Sequence, residues 1–282
     1  MRFVRHAAAL TLTLLIIAWS VPMPAAQNAV APAPLTLTPE QMEDFLLNAR
    51  VIATKGVNQG VTNTRRATLS DGRITHDASI QTVDISLTVF KPPTGPAEMN
   101  FKDSYRYNIA GYRLARLLEL DNVPMSVERR VDGKPASVTW WLDDVVMDEG
   151  GRQKKQIRSP DTERTAMQIH IMRVFDELIS NRDRNAGNMQ WTADWKMWMI
   201  DHTRSFRLGT GLQKPALLER IERSLFENMR GLTAEAVAKA VGNSLTRFES
   251  GAVLARRDVI VKLFEAKIAE RGEGAVVYTL QR

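Results

Sequence analysis

The chain has 282 residues, of which 44% are hydrophobic and 25% charged, a globular balance that excludes a largely disordered or collagen-like chain. It has no cysteine and four histidines, His6, His76, His170 and His202. Thiol nucleophiles, disulfide frameworks, zinc ribbons and iron–sulfur clusters are therefore excluded, and a multi-histidine metal site is not supported. The formal net charge of +6 is spread too evenly to argue for nucleic acid or for a membrane surface.

Arg2 and Arg5 precede an uncharged, mostly apolar run over residues 7–19. Pro22 and Pro24 follow, then the small residues Ala25 and Ala26. That order predicts an export signal over residues 1–26, too short for a membrane span, and hence a periplasmic or extracellular protein with no transmembrane span in its mature form. Loss of Arg2 and Arg5 would lower the net charge from +6 to +4. Residues 27–37 read as an Ala/Pro-rich linker. Thr38, Pro39 and Gln41 form a capping box that predicts a helix to about Val51. Strands are expected at 67–69, 74–81 and 85–90, with a turn at Ser70-Asp71-Gly72. A helix is expected over 105–120, then strands at 127–131 and 137–146. Residues 150–160 read as a polar, basic linker with Arg152, Lys154, Lys155 and Arg158 on a solvated stretch. A helix over 162–179 and a hairpin of 189–191 with 195–200 follow. Further helices are expected at 215–229, 233–248 and 252–269, with a short strand within 275–280. The pattern divides into an N-terminal α+β lobe, residues 38–150, and a C-terminal mainly helical lobe, residues 151–282.

Residues 180–206 concentrate the chemistry. Asp183 and Asn188 are the two ends of a D-x4-N loop at the end of a helix, and a hairpin carries the chain on to Asp201. One carboxylate to orient an attacking hydroxyl, with an amide oxygen and a second carboxylate to hold magnesium, is the donor set that phosphoryl transfer requires. Taken singly, each of these Asx residues reads better as a helix-end or turn residue.

Residues 181–188, Asn-Arg-Asp-Arg-Asn-Ala-Gly-Asn, resemble the N-x-D-R-x-x-x-N catalytic loop of atypical kinases: the phosphatidylinositol 3/4-kinase superfamily, HipA-type kinases and secretory kinases related to Four-jointed. Ile200-Asp201-His202 resembles their metal-binding motif. The stretch Asn108-Ile109-Ala110-Gly111-Tyr112, through Leu117-Leu118 to Val123-Pro124, resembles their helix-C segment. Asn108 stands where the family has glutamate, and Ala115 and Glu119 also depart from the pattern. The resemblance implies a bilobal protein-kinase-like fold in which Asp183 is the catalytic base and Asn188 and Asp201 bind magnesium or manganese. It implies Lys91, in Phe90-Lys91-Pro92, as the phosphate-binding lysine, with Lys102 as the rival. It places residues 56–64 over the phosphates and puts Trp140 and Trp141 at the hinge beside adenine, so that Lys91, Lys102, Asn108, Trp140 and Trp141 would contact the nucleotide.

The expected function is an exported kinase that transfers the γ-phosphoryl group of ATP, or of another nucleoside triphosphate, to a hydroxyl on a protein, glycan or small molecule. Nucleic acid is not an expected partner. A pseudokinase scaffold, favoured by Asn108, and a nucleotidyl transferase on the same fold remain alternatives. Arg184 and Arg204 read as loop organisers and His202, His76 and His170 as structural histidines.

Overall fold

Thr38 starts the first helix as its sequence predicts. A computed structural model describes residues 37–56, 64–92 and 95–281. It places α1 at Pro39–Asn48, with Thr38 and Gln41 in a reciprocal capping box. The helix stops short of Val51 because β1 (Arg50–Gly56) enters antiparallel pairing with β2 (Arg65–Ser70). The expected export signal, residues 1–26, lies outside the described residues, as does the linker except for Leu37.

β2 turns into β3 (Thr75–Gln81) where the Asp71 carboxylate accepts the backbone N–H groups of Arg73 and Ile74. The alternation read over residues 74–81 puts Ala78 and Ile80 in the core. β4 (Asp84–Phe90) pairs with β5 (Glu98–Ser104), a strand with no clear signal in the sequence, as a separate hairpin. α2 (Arg106–Leu117) follows, then β6 (Ser126–Val131) and β7 (Lys134–Trp140). The main sheet is antiparallel, in the order β1-β2-β3-β7-β6. Phe45 and Leu46 of α1 close a small core against Leu69, Ile80, Val127 and Val138.

The expected strand over 137–146 is broken. β7 ends at Trp140, residues 141–144 cross between the lobes, and β8 (Val145–Asp148) joins a second sheet. The expected linker after residue 150 begins as a helix, α3 (Glu149–Lys154), because Asp148 caps the Gly151 N–H. Buried Glu149 accepts from Arg152, Gln153 and the Trp191 indole, so Arg152 is an anchored side chain rather than part of a solvated run.

α4 (Thr162–Ile179) is capped by Asp161 and buries Ile171, Met172, Phe175 and Leu178. β9 (Met189–Thr192) and β10 (Met197–Met199) form the expected hairpin, and with β8 a sheet in the order β10-β9-β8. The expected helix over 215–229 instead contains a 3-10 turn at Pro215–Leu217, the two-residue β11 (Ile221–Glu222) and then α5 (Arg223–Gly231). The expected helix over 233–248 ends early: α6 (Ala234–Val241) stops at Gly242, whose φ of +51° suits a residue without Cβ. A second capping box, Thr246 with Glu249, starts the long α7 (Arg247–Arg271). α8 (Glu273–Val276) leads to β12 (Val277–Tyr278), the expected tail strand, which pairs in parallel with β11.

The larger core joins α4, α5, α6 and α7 to the buried face of α2, including Tyr107, Ala110 and Leu114. α2 therefore belongs to both halves: Asn108 in its first turn is hydrogen-bonded to Gln81 and Ser137 of the N-terminal sheet while its apolar face packs in the helical core. Among the described residues, no helix is long and apolar enough to cross a membrane.

Candidate active site

α4 ends at Ser180, whose φ of +50° turns the chain sharply out of the helix. The loop that follows folds around Arg184. Its guanidinium grips Asp176 of α4 through Nε at 2.9 Å and Nη2 at 3.0 Å. Nη1 donates to the carbonyl oxygens of Asn188 at 2.7 Å and of Ile200 at 2.9 Å. Asn181 donates to the same Asp176 carboxylate, and its own Oδ1 accepts the Asp183 N–H at 3.0 Å. One nearly buried carboxylate and one arginine thus join the helix end, the loop and the far side of the β9–β10 hairpin.

Asp183, Asn188 and Asp201 converge as a result. Asn188 donates through Nδ2 to the Asp183 carbonyl at 3.0 Å. The Ile200 N–H donates to the Asn188 carbonyl at 3.1 Å, which brings Asp201 beside the loop. The Asp183 side chain is 41% exposed, and its carboxylate lies 3.8 Å from Arg204 Nη1. Asp201 has a φ of +53°, and its Oδ1 accepts the Thr203 hydroxyl at 3.1 Å. Burial pushes the Asp201 carboxyl above its ordinary range, and the negative charges of Asp103 and Asp183 add to the rise.

These features fit a divalent cation. With Nδ2 committed to the loop, Asn188 is left with a hard oxygen, and Asp201 is a carboxylate crowded by like charge. Hard oxygen donors, few in number and completed by phosphate and water, suit magnesium or manganese. Among the described residues, no group of three or more His, Asp or Glu forms a complete cage by itself.

His202 is buried and makes the next link. Its Nε2 lies 3.0 Å from Arg184 Nη2, and burial together with that positive charge pushes its pKa well below the ordinary value. The ring is therefore neutral and accepts from Arg184 at Nε2. This agrees with a structural role for His202. Arg204 spans the cleft wall, donating to buried Asp103 at 3.1 Å while its Nη1 approaches Asp183, with its guanidinium 5.3 Å from the Phe101 ring.

The residues expected at the nucleotide are more scattered. Lys91 is exposed at the end of β4, on the separate hairpin, and makes no ion pair among the described residues. Lys102 is paired with Glu249 at the start of α7, at 2.7 Å. Asn108 faces neither lysine. Its Nδ2 donates to Gln81 Oε1 and, at 3.4 Å, to Ser137 Oγ, while its Oδ1 accepts the His202 N–H at 2.8 Å. Trp140 turns to the back of the sheet, stacked on His76 at 3.7 Å and edge-on to Phe45. Trp141 enters the interlobe crossing with Arg66 over its ring at 4.3 Å. Most of the loop expected over the phosphates, residues 57–63, lies outside the described residues.

Solved structures place this architecture. A hydra Fam20 structure determined with sugar superposes with a TM-score of 0.66 and 14% identity, covering 85% of this chain and 92% of that one. A Golgi casein kinase superposes with a TM-score of 0.61 and 14% identity, covering 84% and 78%. The fold is kinase-like. The Helicobacter pylori proinflammatory kinase CtkA also aligns, at a TM-score of 0.48 and 10% identity, over 80% of this chain and 98% of that one. No protein-family model and no curated protein sequence matches the chain.

Protein kinases place a lysine on the third strand opposite a glutamate on the helix that follows. In this kinase-like fold the third strand of the main sheet is β3, and it reaches α2 through Gln81 and Asn108. Sequence reading missed Gln81, Asp103 and Asp176. None carries a local signal, since each acquires its role from a partner elsewhere in the chain or, for Asp176, from the turn that folds back onto it.

Proposed function

We propose that the chain is a phosphotransferase that moves the γ-phosphoryl group of ATP, or of a similar nucleotide, to a hydroxyl acceptor with magnesium or manganese. The observation that carries this reading is the convergence of Asp183, Asn188 and Asp201 around Arg184. In this reading the acceptor oxygen attacks the γ-phosphorus, the bond to the bridging oxygen breaks so that the nucleoside diphosphate leaves, and the Asp183 carboxylate takes the hydroxyl proton. Asn188 Oδ1 and the Asp201 carboxylate would hold the metal, which when bound neutralises charge on the phosphates. Arg204, 3.8 Å from Asp183, holds that carboxylate in orientation. With Lys102 paired to Glu249, Lys91, which has no ion-pair partner among the described residues, is the lysine that would meet a phosphate.

Arg182, next to Asp183, lines a cavity of about 650 Å³ between the β4–β5 hairpin and residues 206–209, large enough for part of an acceptor. Protein, glycan and small alcohols all remain acceptor classes for this reading. The apolar run at the N-terminus supports export to the periplasm or beyond, and the mass of the N-terminal peptide recovered outside the cytoplasm tests it.

Purified chain with Mg2+ or Mn2+, γ-labelled ATP and a panel of hydroxyl acceptors should show phosphate transfer or slow hydrolysis. Asp201→Ala should abolish it, and Asp183→Ala should slow it by about 10²–10⁴-fold. A product carrying the nucleotide instead of phosphate would redirect the assignment to nucleotidyl transfer on the same fold. A second reading, a nucleotide-binding scaffold without turnover, is favoured by the uncharged Asn108. Nucleotide affinity that survives Asp201→Ala, with no turnover under either metal, would support it.

A further inference from the structure

Gln81 and Asn108 are both buried and both neutral, at 5% and 6% exposure. Each uses its amide in two directions. Gln81 donates through Nε2 to the Thr64 hydroxyl at 3.0 Å and accepts from Asn108 at Oε1. Asn108 donates to Gln81 through Nδ2 and accepts the His202 N–H at Oδ1, at 2.8 Å. The path therefore runs from the start of β2, across β3 and α2, to the peptide bond that joins Asp201 to His202. From His202 it continues through Arg184 to the carbonyl of Asn188.

The two residues lie on the third strand of the sheet and on the helix that follows it, the two elements on which kinases place a lysine and a glutamate. A buried ion pair there carries two desolvation penalties, which only good geometry offsets. An amide pair carries neither, and it does what a carboxylate cannot: it donates and accepts at once. The donor end holds the sheet, and the acceptor end holds the backbone beside the metal carboxylate.

We propose that Gln81 and Asn108 form a neutral positioning relay that sets Asp201, through the His202 N–H, in place of the lysine–glutamate ion pair of kinases. The proposal rests on the phosphotransfer reading. Asn108 is then a positioning residue rather than a nucleotide contact, and its link to His202 acts on metal-bound nucleotide through Asp201.

The test compares Mg·ATP affinity by calorimetry, and steady-state kinetics, in the wild type and four variants whose folding is checked by thermal melting. Asn108→Asp keeps the acceptor for His202 but cannot donate to Gln81. Gln81→Lys cannot accept from Asn108. Each should weaken Mg·ATP binding about tenfold, the scale of one buried hydrogen bond lost, and leave the acceptor KM unchanged. Gln81→Glu keeps the bond from Asn108 and can accept from the Thr64 hydroxyl in place of donating to it, and should stay within about threefold of wild type. The double variant Gln81→Lys with Asn108→Glu restores an ion pair and an acceptor for His202, and should recover to within about threefold. If Asn108→Asp does not fold, Gln81→Lys against the double variant makes the same comparison. Wild-type affinity in Asn108→Asp or Gln81→Lys, or a double variant as weak as the two single losses combined, overturns the relay. Failure of the wild type itself to bind Mg·ATP with either metal overturns the phosphotransfer reading and the relay with it, and that outcome is recognised without any variant.

Discussion

Arg184 Nη2 lies 3.0 Å from Nε2 of the buried, neutral His202, so the arginine of the 181–188 loop and the residue after Asp201 share one hydrogen bond. The same guanidinium reaches Asp176 and the carbonyls of Asn188 and Ile200. The 181–188 loop and the segment at Ile200–His202 are thus referenced to a single side chain in addition to their direct Ile200–Asn188 backbone hydrogen bond.

Arg184→Ala should therefore damage stability and activity together. Arg184 and Asp176 are 8% and 12% exposed, so removing the arginine strands a nearly buried carboxylate. The expected cost is about 3–5 kcal/mol, read as a lower denaturant midpoint. Arg184→Lys keeps the charge but loses the planar fork that serves four acceptors, so it should fold better than the alanine variant and still turn over slowly.

The pH dependence of stability follows from His202. Its folded pKa lies below the ordinary 6.5, so the folded chain refuses a proton that the unfolded chain accepts. The contribution of the neutral ring is complete above about pH 6.5 and is lost as the pH falls below that value. His170, depressed by burial and by Arg173 and Arg220, acts in the same direction. Denaturant midpoints from pH 8 to pH 5 should fall for the wild type and fall less for His202→Gln. An unchanged slope in that variant would refute this account of His202.

Asp201→Asn should separate stability from function. The raised pKa means that an ionised Asp201 opposes folding at neutral pH, an effect that disappears on the acid side as the carboxyl protonates. The neutral isostere should melt at a higher temperature than the wild type at pH 7 and be inactive. Mg2+ with nucleotide should raise the melting temperature of the wild type and leave that of the variant unchanged.

Gly111 on α2 reports on the same region by steric means. A Cβ added there would lie 3.2 Å from Cγ of His202, a ring already fixed by Arg184. Alanine favours a helix interior by about 1 kcal/mol over glycine, yet Gly111→Ala should lower kcat, because the ring that must shift adjoins Asp201. Retained kcat with increased stability would show that the loop yields without consequence.

The elements legible in the sequence are those with local causes. Thr38 and Gln41 close their own capping box, and the alternation of residues 74–81 matches the burial of Ala78 and Ile80. Asp183 and Asn188 are tied within one turn of loop, so their D-x4-N spacing is a local feature that the sequence shows directly. Asn108 stood out as a departure from the kinase pattern, but its role did not. Its partners are 27 residues upstream and 94 downstream. Asp103 meets Arg204 across 101 residues, and no spacing rule connects them. Helix ends in the C-terminal half were misread for a related reason: apolar periodicity runs on through residues 215–248, while the stops are set by the β11–β12 pairing and by the backbone of Gly242.

By itself the sequence determined the two-part organisation, the capped helices, the hairpin after α4 and the proposal of Asp183, Asn188 and Asp201 as oxygen donors. Those follow from bonds made within a few residues and from the side-chain period of helix and strand. The tertiary structure alone decided how the donors are held: Arg184 on Asp176, His202 beneath Gly111, and Gln81 as the partner of Asn108, the position where the family has glutamate. Most of those relationships are hydrogen bonds and close contacts between distant segments. They exist only once the apolar face of α2 has packed against the helical core and carried its polar end to the sheet.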